Sequence, residues 1–422
     1  MPSPVETYVQ IGGTDVFAGR LWAHRRGQVE SATFRYAPEY LAHRDAYELD
    51  PQLPLVDGPL QTGLGRKIFG AFADCAPDRW GRRLVQRAER QRAAGEGAGA
   101  RSFGEVDYVL GVRDDLRQGA LRFRDPESLE FLATEHSGVP HLLELPRLLN
   151  AADHLERDDP TADDVRTLLR AGSSLGGARP KAHVISQDGR IAIAKFPSPT
   201  NDEWDVIRWE AVALELASRC GIRVPTWDLH VVDGKAVLVV GRFDRQGAHR
   251  IAYASALTML EATDGDAASY LDIADAIERQ SPDTTADLRE LWRRIAFSVL
   301  VSNTDDHLRN HGFLRVSTAG WTLAPAFDLN PDPRPGTKHL STAIGSDTTA
   351  AIGPLLEVAE FFRLRADEAR TILSETAEAT RGWRSVAEGL GLNRLAIADM
   401  APAFEHEQAR AARALPAGKV SP

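Results

Sequence analysis

The chain has 422 residues, 43% of them hydrophobic, and its 50 Lys and Arg against 60 Asp and Glu leave a net charge of −10. That length exceeds one average domain and predicts two or three sub-domains with a sizeable core, which excludes wholesale disorder. The acidic balance speaks against a protein that grips DNA by itself, because neutralising phosphates calls for a basic surplus.

No apolar run of about 18 residues reads as a membrane span. The start, "MPSPVETYVQIGG", lacks the basic head and apolar stretch of a secretion signal. The two cysteines, Cys75 and Cys220, have no CxxC partner, so neither a zinc framework nor a disulfide scaffold is expected. A reducing, cytoplasmic setting fits best.

Residues 14–36 alternate apolar and polar around Arg26, Gly27 and Gln28, the pattern of a β-hairpin. From residue 68 to 92 the pattern turns helical, and "AAGEGAGARS" (93–102) breaks it. The basic run "RWGRRLVQRAERQR" (79–92) reads as a solvated helix face rather than a nucleic-acid contact. Residues 141–172 are helical around an acidic turn at Asp158, Asp159 and Pro160. "KAHVIS" and "RIAIAKF" flank Gln187, Asp188 and Gly189, a tight-turn signature that pairs them as a hairpin. A helix is expected over 205–220, stopped by Gly221. "WDLHVV" and "KAVLVVGRF" form a second hairpin around Asp233 and Gly234. Beyond Asp283 the pattern is mostly helical, with Leu288, Leu291, Ile295 and Val299 on one face, and residues 355–414 read as helices.

Four stretches carry chemistry. "AGSSLGGARPKAHV" (171–184) places Gly172, Gly176 and Gly177 ahead of a strand, where backbone N–H groups can approach phosphate without a Cβ in the way. It is not a Walker A loop, since Gly177 leads into Ala178 and a strand rather than Lys-Ser/Thr and a helix. Lys195 stands on the apolar strand "RIAIAKF" with Ile191 and Ile193. It is expected on the buried face, where a lysine needs an anion to meet it. Glu210 on the following helix is a candidate partner for Lys195, and Glu215 competes with it.

"SNTDDHLRNHGFL" (302–314) spaces Asp305 and Asn310 as Asp-x-x-x-x-Asn, the kinase arrangement of a proton-accepting aspartate and a magnesium-holding asparagine. His307 and His311 could instead suggest zinc, but Leu308 stands where a zincin needs Glu, and no cysteine or third histidine is nearby. "WTLAPAFDLNP" then offers Asp328 on a strand-to-loop turn as a second Mg²⁺ ligand, without the Phe-Gly of a eukaryotic-type kinase.

In this order the stretches "DCAPDRWGRRL", "VLGVRDDLRQGALRF", "SSLGGARPKAHV", "VVGRFDR", "NTDDHLRNHGF", "LAPAFDLNP" and "GWRSVAEGLGL" resemble the HipA-like toxin kinases of bacterial toxin–antitoxin systems. The resemblance runs over nearly the whole chain. It implies an α+β, bilobal protein-kinase-like fold, with a β-rich N-terminal sub-domain over 1–125. A kinase-like N-lobe over 126–255 and a mostly helical C-lobe over 256–422 would follow. It implies ATP- and Mg²⁺-dependent phosphorylation of serine or threonine in a protein, and an aminoacyl-tRNA synthetase is one target class.

Asp305 falls at the family's catalytic base and Lys195 at its phosphate-binding lysine. Gly176, Gly177, Ala178, Arg179 and Lys181 fit the loop over the phosphates. Gly241, Arg242 and Phe243 match the hinge that meets adenine. His307, Arg309 and Asn310 align with the nucleotide- and metal-contacting loop, and Asp328 with the second metal ligand. Ser174, with Ser173 beside it, sits where the family carries an inhibitory autophosphorylation. The implied partner is a small HipB-like helix-turn-helix antitoxin that supplies most DNA binding. Two other readings use the same parts: a kinase for a small molecule, and a non-catalytic regulator that binds antitoxin and operator DNA.

Overall fold

The computed structural model describes residues 4–134, 138–172 and 179–415. Contacts group the chain into two units, Met1–Asp202 with His230–Glu261, and Glu203–Leu229 with Ala262–Pro422.

The first unit opens with strands β1 (Val5–Ile11), β2 (Thr14–Arg26) and β3 (Val29–Tyr36), joined later by β4 (Leu60–Gln61) and β5 (Leu121–Arg124) in the order β4-β3-β2-β1-β5. The β2–β3 hairpin is the one expected around Gly27. The sequence pattern did not announce that β5 closes the far edge by pairing antiparallel with β1. Val9, Leu21, Phe34 and Phe123 are fully buried on this sheet.

The helical pattern of 68–92 is two helices, Gly70–Ala73 and Arg79–Gly95. Pro77 has no N–H to continue a helix and disfavours helical backbone before it. Asp78 then caps the second helix by accepting from the Gly81 N–H at 2.6 Å.

That second helix is amphipathic, not merely solvated. Trp80 and Leu84 are buried, while Arg82, Arg83 and Arg87 pair with Glu105, Glu156 and Asp158. Much of its basic run is thus paired within the chain.

A second sheet holds β6 (Lys181–Ile185), β7 (Ile191–Lys195), β8 (Trp227–Val232) and β9 (Lys235–Gly241) in the order β6-β7-β9-β8. Both expected hairpins are present, turning through Gly189 and Gly234 at φ +77°, a region glycine enters without a Cβ penalty. Ala182, Val184, Ala192 and Ala194 point into one core. They share it with Trp80 and Leu84 and with the helices Leu145–Glu156 and Ala162–Arg170.

In the second unit, the helix Val206–Arg219 starts at Asp205, which caps the Arg208 N–H at 3.0 Å, and ends before Gly221. Sequence placed it in the middle segment. It groups with the second unit, where Trp209 packs against Trp383 and Phe404 with ring centroids 6.0 and 6.1 Å away. The helix Thr284–Val301 buries Leu288, Leu291, Ile295 and Val299 as its 3.6-residue pattern predicts. A hairpin, Gly312–Ser317 with Gly320–Leu323, follows. Four helices from Ala366 to Ala414 follow in turn. Among the described residues no helix is long and apolar enough to cross a membrane.

Candidate active site

The helix Thr284–Val301 stops at Ser302, which takes left-handed backbone at φ +54°, a conformation costing a non-glycine residue about 1–2 kcal/mol. The stop is enforced by hydrogen bonds. The Asn303 N–H reaches the Ser298 carbonyl at 2.9 Å, and the Ser302 hydroxyl donates to the Ala403 carbonyl at 3.1 Å. The loop carrying the Asp-x-x-x-x-Asn spacing starts there.

Its two adjacent aspartates have opposite fates. Asp306 is buried. Its carboxylate accepts from the Tyr270 hydroxyl at 2.6 Å and the Ser298 hydroxyl at 3.2 Å, and its carbonyl accepts from the Thr342 hydroxyl at 2.6 Å. His311 Nε2 lies 3.2 Å from the same carboxylate, though not aligned for a hydrogen bond. Desolvation pushes the Asp306 pKa up, but the imidazole and the two hydroxyls outweigh it and hold the group below the ordinary carboxylate value. With Asp306 anchored, Asp305 is the exposed one of the pair.

The rest of the loop closes on itself. Asn310 is buried, and its Nδ2 donates to the Asp305 carbonyl at 2.9 Å, which turns its amide oxygen away from that carbonyl. Leu308 is buried beneath the short turn Leu308–Asn310. The Arg309 guanidinium is held by both oxygens of Asp264 at 2.8 and 2.9 Å. His307 keeps a buried Nδ1 with no hydrogen-bond partner among the described residues. His311 is committed to the floor of the loop, edge-on to Tyr270 at 5.6 Å.

Asp328 also has left-handed backbone, φ +58°. Its turn is tied to the loop. The Asn330 N–H donates to Asn303 Oδ1 at 2.9 Å, the Asp332 N–H to the Ser302 carbonyl at 3.1 Å, and the Asn330 Nδ2 to the Asp328 carbonyl at 3.1 Å. Asp305, Asn310 and the turn of Asp328 therefore form one hydrogen-bonded assembly within the second unit.

Among the described residues, Arg179, Lys181, Lys195 and Gly241, Arg242 and Phe243 lie in the first unit. Lys195 ends β7 on the face it shares with Ile191 and Ile193. This is the half-buried face and not the buried one expected, because Ala192 and Ala194 fill the core side. Lys181, directly opposite Lys195 in the β6–β7 register, is buried and its ammonium donates to Asp78. Arg179 pairs with Asp202 at 3.0 Å.

Gly241 ends β9. The Arg242 side chain is wholly engaged in a buried network: it donates to Asp244 at 2.6 Å and to the carbonyls of Leu116 and Arg117 at 2.6 and 3.0 Å. Phe243 packs near Tyr253, ring centroids 6.3 Å apart.

His183 lies beside Arg242, and burial first, then that guanidinium, pushes its pKa well down. Gly172 precedes the phosphate-type loop at φ +81°, where a Cβ would come 2.5 Å from Leu116 Cδ1 and 2.9 Å from His183 Nδ1. Gly176, Gly177, Ala178 and the serines Ser173 and Ser174 lie outside the described residues. Of the two glutamates, Glu215 is taken by Arg219 at 2.8 Å on an exposed surface, whereas Glu210 is buried in the second unit.

Comparison with known proteins shows the family. The HipA N-terminal domain model matches residues 9–100, and the HipA-like C-terminal domain model matches residues 173–383. The chain belongs to the HipA family.

A solved structure of HipA from Shewanella oneidensis MR-1, in complex with HipB and its operator DNA, has a similar fold. Its TM-score is 0.63 at 15% identity, with 97% of this chain and 96% of that chain covered. The α+β, kinase-like class expected from the sequence is the class found.

Two curated relatives are a "Putative kinase" of Haemophilus influenzae and "Putative kinase Y4mE" of Sinorhizobium fredii. The first is 25% identical, covering 39% of this chain and 54% of its own length. The second is 27% identical, covering 37% and 41%. The chain thus spans about half the length of the curated relatives it matches.

Sequence reasoning missed Asp306, Tyr270, Ser298 and Thr342 as the supports of the loop, and Asp78 as the partner of Lys181. Asp306 stood inside the quoted motif. The others gave no local signal, because they meet their partners only through the fold.

Proposed function

We propose that this HipA-family chain is a protein serine/threonine kinase of the toxin type, dependent on ATP and Mg²⁺. The observation that carries the reading is the sorting of the two aspartates. Asp306 is spent on fixing the loop, which leaves Asp305 exposed beside Asn310 on an assembly bonded to the turn of Asp328.

In this reading Asp305 accepts the proton of an acceptor hydroxyl as its oxygen bonds the γ-phosphorus and the bond to the ADP oxygen breaks. The Asn310 amide oxygen and the Asp328 carboxylate are hard oxygen donors that suit Mg²⁺, which would offset phosphate charge. The family resemblance gives Lys195 the role of a phosphate-binding lysine.

The remaining proposals follow from the family resemblance. They are inhibitory autophosphorylation at Ser174, an aminoacyl-tRNA synthetase or other translation component as target, and a HipB-like antitoxin that brings operator DNA. The net charge of −10 supports delegation of DNA binding to that partner.

The test is transfer from γ-labelled ATP. Protein-bound label that disappears in Asp305→Gln supports the proposal. Label found only on a metabolite favours a small-molecule kinase. Nucleotide binding without transfer leaves a non-catalytic regulator.

A further inference from the structure

We propose that Asn303 and Asn330 are positioning residues that hold the Asp328 turn in register with the loop of Asp305; this rests on the kinase reading above. The observation is a continuous chain of hydrogen bonds within the second unit. Tyr270 and Ser298 donate their hydroxyls to the Asp306 carboxylate at 2.6 and 3.2 Å. Asn303 Nδ2 donates to the Ser298 hydroxyl oxygen at 3.2 Å. The Asn330 N–H donates to Asn303 Oδ1 at 2.9 Å, and Asn330 Nδ2 donates to the carbonyl of Asp328 at 3.1 Å.

The polarity of this chain is fixed at both ends. Ionised Asp306 can only accept and a backbone N–H can only donate, so Ser298 must donate one way and accept the other. The Asn303 amide is then forced into a single orientation, since a flip would set its NH₂ against the Asn330 N–H. Ser298 and Asn303 are 1% exposed, so a missing member would leave a buried partner unsatisfied.

The chain runs between two left-handed residues, Ser302 and Asp328, which persist only where surrounding bonds over-determine them. Asn330 bonds the Asp328 carbonyl and so fixes the peptide that sets the direction of that carboxylate. The remaining Asn330 oxygen is buried and has no hydrogen-bond partner among the described residues. It suits a water of a hydrated Mg²⁺, an ion that keeps several of its waters.

The test measures Mn²⁺ binding with a non-hydrolysable ATP analogue by electron paramagnetic resonance, alongside metal-free thermal melting. Asn330→Ala is expected to weaken Mn²⁺–nucleotide binding about 10–100-fold, as loss of an outer partner of a metal ligand does. Its melting temperature should stay near the parent's. Asn330→Asp, which cannot donate to the Asp328 carbonyl, should weaken binding alike, and excess Mg²⁺ should restore turnover in both. Parent-like binding in both variants overturns the inference, and so does weak binding that tracks a collapse in melting temperature. A parent protein that binds no Mn²⁺–nucleotide overturns the kinase reading itself.

Discussion

Asp305 and Asp306 are the same side chain one position apart, and only the fold distinguishes them. Asp306→Ala strips an acceptor from the buried Tyr270 and Ser298 hydroxyls and is expected to cost about 2–5 kcal/mol in denaturant unfolding. Asp305→Ala, at an exposed position, should stay within about 1 kcal/mol of the parent while abolishing phosphoryl transfer. The pH dependence has a definite sign. The Asp306 pKa is lowered in the folded state, as is that of Asp244 among its arginines. Their stabilisation is therefore fully present above the unfolded carboxylate value of about 3.9 and is lost as pH falls through the folded values. The denaturation midpoint should drop on acidification below that point, with a shallower fall in Asp306→Asn. The motif spacing made Asp305 and Asn310 legible in the sequence. Which aspartate faces solvent was not legible, because Tyr270 and Thr342 reach the loop from distant parts of the chain.

Elements whose signals are local were legible at the scale of strands and helices. The hairpins through Gly27, Gly189 and Gly234, the helix capped by Asp205 and the apolar stripe of Thr284–Val301 all follow from turn chemistry and periodicity. Lys181 shows the limit of that reading. Its strand was expected, but its partner Asp78 caps a helix more than a hundred residues upstream. Both side chains are buried, at 8% and 4% exposure. Lys181→Met is expected to cost about 3–5 kcal/mol, because it leaves the Asp78 carboxylate buried without its cation. The double variant Lys181→Met/Asp78→Asn should be less destabilised than the sum of the two single changes, as a thermodynamic cycle of melting curves would reveal.

The family models divide the chain into an N-terminal and a C-terminal domain, yet the first unit does not respect that seam. Trp80 and Leu84 from the N-terminal match share one core with Ala182, Val184, Ala192 and Ala194 from the C-terminal match. Polar links tie the segment between the two matches to the C-terminal match as well. The Gly119 N–H donates to Asp244 at 2.8 Å, and Arg250 pairs with Asp114 at 2.9 Å. A chain lacking residues 1–125 would strip Trp80 and Leu84 from the core of β6 and β7 and leave Asp244 short of a donor. It is expected to be recovered as aggregate rather than as a cooperatively melting protein, which soluble yield and circular dichroism would establish. The sequence motifs pointed to both halves of the family, but shared burial is a property of packed surfaces and leaves no linear trace.

The strand order β6-β7-β9-β8 has a consequence for biosynthesis. The strand bearing Lys195 is flanked by β9, so it lacks its inner neighbour until Gly241 has left the ribosome. Asp305, Asn310 and Asp328 emerge later still. A nascent chain therefore completes the sheet that bears Lys195 well before it owns the residues proposed to transfer phosphate, and a prematurely terminated product ending between them would carry that sheet without them.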